Sequence, residues 1–257
     1  MLALGLLGSP RKNGNTHYLL STFLNALGKK GAAVQIMHVP DKQIHPCQGC
    51  TFCEKKGYCT QQDDDMSREI YPLLRRAEII VAASPIYFYN VTSQLKALID
   101  RSQALWSRRY KLGLSDPQAA TRAGIMLAVG ATKGKNLFSG THLTARYFFD
   151  AVSANFTGEL GYRRVEKPGD LQKVEEVTGQ VQELADQLDP LFAREKILFL
   201  CQGNTCRSKM AAAFVRQLAG NRFEAASAGS RPATAVNTIM EEAMAEKGLD
   251  LYLRFPR

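Results

Sequence analysis

Cys47, Cys50, Cys53 and Cys59 place four soft thiol ligands within thirteen residues. Deprotonated sulfur of this kind suits iron in an iron–sulfur cluster or a zinc ion. The first three cysteines share the compact Cys-x2-Cys-x2-Cys spacing with which a short loop wraps one [4Fe–4S] cube. Structural zinc sites usually hold two Cys-x2-Cys pairs separated by a longer loop. The spacing therefore favours [4Fe–4S], with zinc, a redox-active dithiol or an inert role as the alternatives.

The other two cysteines belong to Cys201-Gln-Gly-Asn-Thr-Cys206-Arg207-Ser208, which follows the apolar run 197–200 and opens a helical stretch. Cys-x5-Arg is the arrangement that cleavage of a phosphate ester through a thiol requires. The loop curves into a cradle whose N–H groups hold the oxyanion, and the arginine clamps it. A helix N-terminus and a nearby cation also lower the thiol pKa. Cys201 is the candidate nucleophile, Arg207 the clamp, and Ser208 a hydrogen-bonding partner for the sulfur.

A third feature is Gly8-Ser-Pro-Arg-Lys-Asn-Gly-Asn-Thr16, set between an apolar run and a helical pattern. The hydroxyls of Ser9 and Thr16, the Arg11 side chain and the helix N-terminus can surround a phosphate. The segment has neither the Gly-x-x-x-x-Gly-Lys-Ser/Thr nor the Gly-x-Gly-x-x-Gly pattern, which argues against ATP and a dinucleotide loop. Two further segments, 84–90 and 130–134, leave the ends of apolar runs. Pro85, Tyr87, Phe88 and Tyr89 offer a flat wall for an isoalloxazine ring, backbone groups of 87–90 reach its polar edge, and Gly130 and Gly134 permit close approach.

These segments need elements to hold them. Apolar periodicity predicts strands at 2–7, 33–39, 79–83, 124–129 and 161–165, separated by helices near 18–27, 67–76, 91–99, 137–156 and 171–188. Alternation of this kind is a doubly wound parallel α/β sheet, with ligands beyond the carboxyl ends of its strands. That domain spans 1–190, with the cysteine cluster as an insert at 47–59. A second α/β segment over 196–257 has strands at 197–200 and 223–228 and helices at 208–218 and 236–247. At about sixty residues it is small for an independent core, so it reads as a degenerate oxyanion-binding unit, as the partly disordered front half of a truncated domain, or as a unit completed by a partner chain.

The motifs "GSPRKNGNT", "ASPIYFYNVTSQLKALIDR" and "DDDM", in that order, resemble those of the NADPH-dependent FMN reductase and iron–sulfur flavoprotein group over residues 1–185. The resemblance implies a flavodoxin-like fold, FMN as cofactor and NAD(P)H as a possible electron donor. It puts the FMN phosphate on Ser9, Arg11, Asn13, Asn15 and Thr16. The ring would lie against Pro85, Ile86, Tyr87, Phe88 and Asn90, with Gly130 nearby. The compact cysteine motif is similar to that of iron–sulfur flavoproteins, which implies Cys47, Cys50, Cys53 and Cys59 as [4Fe–4S] ligands. A homodimer or homotetramer with a small-molecule or protein redox partner also follows from the likeness.

"LFLCQGNTCRSKMA" and the stretch from Ser227 to Asp250 are similar to the low-molecular-weight protein tyrosine phosphatase and arsenate reductase family. That resemblance makes Cys201 the nucleophile, Asn204 a support for the loop, Arg207 the oxyanion ligand for phosphate or arsenate, and Cys206 a resolving thiol. The family's general-acid aspartate lies in the later half of its domain, so the segment up to Arg257 reads as a truncated unit. Asp250 is in the wrong part of the motif to replace it. Without that acid, worth roughly 10² to 10⁴ in rate, a phosphatase or arsenate reductase is the secondary reading. A non-catalytic redox sensor is a third.

Composition narrows the rest. No run of eighteen apolar residues is present and the N-terminus reads as a first strand rather than a signal peptide, so a cytoplasmic protein with no membrane partner is expected. The formal charge of +9 is spread along the chain without zinc-finger spacing or aromatic–basic interleaving, which argues against nucleic acid. The four histidines have no ligand-spaced partners and carry no functional reading.

Overall fold

The computed structural model describes residues 1–257. Five strands form the main sheet: β1 (Leu2–Leu7), β2 (Ala33–His38), β3 (Ile79–Pro85), β4 (Ala123–Val129) and β5 (Asn155–Tyr162). Their order is β2-β1-β3-β4-β5, with every neighbouring pair parallel. Helices α1 (Asn15–Lys29), α2 (Phe52–Lys56), α3 (Tyr71–Arg76), α4 (Ser93–Arg101), α5 (Gln103–Tyr110), α6 (Ser139–Ala151), α7 (Val177–Asp186) and α8 (Asp189–Phe192) occupy the connections.

The central strands are continuous apolar runs because both faces of the sheet are covered. On one face Leu4, Leu6, Ile80 and Met126 pack against residues of α3 to α6 such as Phe149. On the other Leu7, Val81 and Leu127 pack against Phe23 of α1 and Leu184 of α7. The strand order reverses between β1 and β3, and a crevice opens beyond their carboxyl ends at such a switch point. The doubly wound flavodoxin-like expectation is met.

One part of the sequence reading needs correction. The helix expected over 137–156 ends at Ala151, and the last strand is Asn155–Tyr162 rather than 161–165. Ser153, at a φ of 55°, reverses the chain between them. β5 is an edge strand whose residues alternate between exposed and half-buried, so it lacks the apolar run by which the buried strands are recognised. The helix expected over 171–188 is likewise a short turn, Leu171–Lys173, followed by α7.

The second unit is a two-stranded parallel sheet of β6 (Glu195–Cys201) and β7 (Phe223–Gly229), with α9 (Arg207–Ala219) and α10 (Thr238–Glu246). Its own buried core is small: Ala213, Met240, Met244, Leu249 and Leu251. Two strands and so little apolar area are marginal alone. The unit is ordered by docking on the first. Buried Asp116 accepts hydrogen bonds from Arg75 at 2.6 Å and Arg254 at 2.8 Å, and pairs with Arg122 at 2.9 Å. Asp250 accepts two bonds from Arg108, at 2.8 and 2.9 Å, and its backbone N–H donates to the Ser115 carbonyl.

Candidate functional site

The turns that leave β1 and β3 meet at one cavity of about 250 Å³, lined by Ser9, Arg11, Asn15, Thr16, Pro85, Ile86 and Tyr87 among others. Ser9 organises its turn by accepting the Arg11 backbone N–H at 3.1 Å, and its carbonyl takes a 2.8 Å hydrogen bond from His38 Nε2. Gly14 caps α1, whose first turn carries no acidic residue. The unpaired amides and dipole of that helix end favour an anion. Asn15 is committed to the opposite wall. Its amide donates to the Lys167 carbonyl at 2.8 Å, and its oxygen accepts from Gly169 and Leu171. Asn13 is exposed and does not line the cavity.

That opposite wall is Val165, Glu166 and Pro168, which sequence reasoning missed. It follows β5, and the misplaced strand had hidden it. Arg11 is braced there, donating to the Glu166 carbonyl at 3.4 Å.

Residues Tyr87 to Asn90 form a tight turn in which each end donates to the other's carbonyl, at 2.9 and 3.0 Å. Phe88 and Tyr89 both have positive φ, 48° and 64°. Glycine and asparagine normally occupy such positions, so two aromatics there store strain of the sort that gathers at functional sites. Phe88 is fully exposed and does not line the cavity. The Asn90 side chain accepts the Val91 N–H, fixing the start of the segment leading to α4. At Gly130 a Cβ would come within 2.6 Å of Leu137, so glycine lets the third turn close in beside Ile86.

The four cysteines of the 47–59 segment line a second cavity of about 420 Å³, closed by Asp100, Arg101 and Gln103. Positive φ at Gly49, Thr51 and Gly57 winds the loop around it. All four thiols are free. Ser107 donates to Cys53 Sγ at 3.6 Å. Burial pushes the Cys53 thiol up, with Cys59 and Cys47 adding to the effect, while the Phe52 N–H and the Thr60 hydroxyl bring Cys50 down. No three acidic, thiol or imidazole side chains converge to hold a single ion. Four thiols around an open cavity fit a polynuclear cluster, whose ligands stand farther apart than those of tetrahedral zinc.

Arg101 anchors both feet of this loop. It donates to the carbonyls of His45 and Gln61, at 2.8 and 3.0 Å, and to Asp64. Asp64 accepts the backbone N–H of His45. Both residues lie within the motifs that carry the family resemblance, but neither was given a role there. The available signal was that Arg101 continues the buried stripe Leu95, Leu98, a place where a charge needs a partner.

In the second unit, Cys201 Sγ lies 3.0 Å from Ser208 Oγ and accepts the Asn204 N–H at 3.2 Å. Asn204 is buried with a φ of 50°, and its amide donates to Ser208 Oγ at 2.9 Å. The Ser208 hydroxyl above all, with the Asn204 amide, lowers the Cys201 pKa despite partial desolvation. Arg207 is exposed on the first turn of α9, and Cys206 Sγ faces Met210 Sδ at 3.7 Å rather than Cys201. The loop gathers Ser208 and Asn204 around the sulfur, while Asp250 is spent on docking.

Comparison with known proteins agrees with both halves. The low molecular weight phosphotyrosine protein phosphatase family model matches residues 196–257. An arsenate reductase of Brevibacillus brevis is 43% identical over 58 residues, 23% of this chain and 42% of that protein. An iron-sulfur flavoprotein of Methanocaldococcus jannaschii is 37% identical over 133 residues, covering 52% of this chain and 64% of its own length. One from Archaeoglobus fulgidus is 43% identical over 101 residues, 39% of this chain and 45% of that protein. The chain thus spans less than two thirds of these relatives. Among solved structures, RosB with a bound flavin-derived intermediate has a TM-score of 0.56 at 14% identity, covering 74% of this chain and 80% of its own. An azoreductase from Bacillus anthracis has a TM-score of 0.52 at 12% identity, over 74% and 99% of the two chains. These two likenesses establish the fold. The NADPH-dependent FMN reductase family model matches residues 1–157, more than half of the chain, and the protein belongs to that family.

Proposed function

We propose that this chain is an FMN-dependent oxidoreductase that draws electrons from NAD(P)H and passes them between FMN and a [4Fe–4S] cluster held by Cys47, Cys50, Cys53 and Cys59. The observation that carries this reading is the convergence of the β1 and β3 turns on one cavity at the switch point of the sheet. Ser9, Arg11, Thr16 and the first amides of α1 bind the FMN phosphate. Asn15 acts at one remove, tying the 167–171 segment to the start of α1. Pro85, Ile86 and Tyr87 flank the ring, Gly130 allows its approach, Asn90 closes the turn that carries Tyr87, and Asn13 and Phe88 lie outside the cavity lining. When bound, FMN exchanges electrons in pairs or singly and the cluster exchanges them singly, so the two together join a two-electron donor to a one-electron partner. The protein orients the flavin phosphate, supplies the cluster thiolates and excludes water from the ring wall.

The exposed aromatics Tyr87, Phe88, Tyr89 and Tyr147 favour a homodimer or homotetramer. Six free thiols suit a reducing, cytoplasmic setting. The Cys201 loop supports a second, slower role, binding phosphate or arsenate on Arg207 and the loop amides, with Cys201 as nucleophile.

The test is anaerobic reconstitution of the full chain with FMN, iron and sulfide. Expected are one flavin and about four iron and four sulfide per chain. Arg11→Ala should weaken FMN binding about 10- to 100-fold through loss of a charged phosphate contact. A protein that takes up iron but never quenches FMN fluorescence would overturn the flavin assignment. Flavin without iron would overturn the cluster.

A further inference from the structure

A cavity of about 250 Å³ lies between the two units, with Arg76 on one side and Lys209, Arg216, Arg254 and Arg257 on the other; it shares no lining residue with the crevice at the ends of β1 and β3, and Cys201 does not line it. No acidic side chain lines it. Lys209 is only 7% exposed, and its hydrogen-bonding partner is a single backbone oxygen, that of Phe255, at 2.7 Å. Arg216 is half-buried, with Nε donating to the Ala225 carbonyl at 2.9 Å. Arg254 pairs with Asp116 through one nitrogen, but its Nε is buried with no partner. A buried cation without a counter-charge is costly, and proteins ordinarily pair it.

Leu73 and Leu251 supply an apolar flank to the same cavity. We infer that this cavity is an oxyanion site for phosphate or a small phosphomonoester, clamped between Arg76 of the first unit and Lys209 and Arg216 of the second. Guanidinium groups suit this ligand because their forked donors match its oxygens. Bound there, the anion bridges α3 to α9 and tightens the docking of the small unit. The site's present electrostatics are consistent with a missing negative charge. Burial, together with the neighbouring arginines, lowers Lys209 to about 8, against a weak opposing effect of Glu241. Burial likewise takes Arg254 down to about 9, although Asp116 resists.

The experiment uses the full chain carrying Cys201→Ser and Arg207→Ala, so that the thiol loop does not contribute. Inorganic phosphate is titrated by calorimetry at constant ionic strength, and thermal unfolding is followed alongside. The expected result is one site per chain and a rise in the unfolding midpoint of about 5 °C near saturation. Arg76→Gln, an exposed position that leaves the core intact, should weaken binding about tenfold, and Lys209→Met should abolish it. Phenyl phosphate binding more tightly than phosphate identifies an ester as the ligand class, and equal binding identifies the free ion. The inference is overturned if the loop variant binds no phosphate, if Arg76→Gln binds as well as its parent, or if chloride stabilises equally.

Discussion

Arg101 donates to both carboxylate oxygens of Asp64, at 2.5 and 3.3 Å, with both side chains wholly buried beneath the cysteine loop. Burial alone would raise the Asp64 carboxyl. The guanidinium, helped by the N–H groups of His45 and Ser67, holds it below its usual range instead. The same arginine reaches the carbonyls of His45 and Gln61, which bracket the four cysteines. The ion pair thus sets the spacing of the loop's two ends.

Removing one member of such a pair leaves the other charged and unpaired. Arg101→Met is expected to cost about 3–5 kcal/mol of stability, read from the urea midpoint, and to lower the iron and sulfide retained after anaerobic reconstitution. Adding Asp64→Asn should restore much of the stability but not the iron, because the two carbonyl tethers stay broken. Full iron retention in the double variant would show that Arg101 does not position the cysteines.

Asp116 gives a pH-dependent prediction. Burial opposes its ionisation, yet Arg122, Arg75 and Arg254 hold the carboxyl far below its ordinary value of 3.8. A carboxyl depressed in the folded state stabilises fully above its unfolded pKa, and that contribution falls away as pH drops toward the folded one. The urea midpoint of the wild type should therefore decline steadily below about pH 4. Asp116→Asn should already be weaker at neutral pH by about 3–5 kcal/mol, with a flatter acid limb. Identical acid limbs would remove Asp116 from the docking of the second unit.

The Cys201 thiol is held below its ordinary value chiefly by the Ser208 hydroxyl. Since the thiolate is the reactive form, alkylation of Cys201 by iodoacetamide should turn on at lower pH than for an ordinary thiol. Ser208→Ala should move that profile upward, and peptide mass spectrometry reads each cysteine separately. An unmoved profile would assign the lowered value to the loop amides instead.

Much of this arrangement was legible beforehand, for a local reason. Ser9, Arg11 and Thr16 line one cavity because they are neighbours in the chain, and the same holds for Cys47–Cys59 and for Cys201 with Ser208. The buried strands announced themselves as apolar runs because both faces of the sheet are covered. β5 did not, since an edge strand bears solvent on one side, and its misplacement concealed the wall formed by Val165, Glu166 and Pro168.

Residue type and spacing alone determined the two α/β units, through the apolar runs of their buried strands, and the Gly8–Thr16 turn, the four-thiol loop and the Cys201–Ser208 loop, because each of these three segments is written within about a dozen consecutive positions. Only the tertiary structure decided which distant charges meet: Arg101 with Asp64, Asp116 with three arginines, and Arg76 across a cavity from Lys209. Apart from Asp116 and Arg122, these partners are separated by tens to more than a hundred residues, and no periodicity records which buried charge will face which. The energy that selects them is the cost of burying a charge alone, and that cost arises only once the fold has brought the elements together.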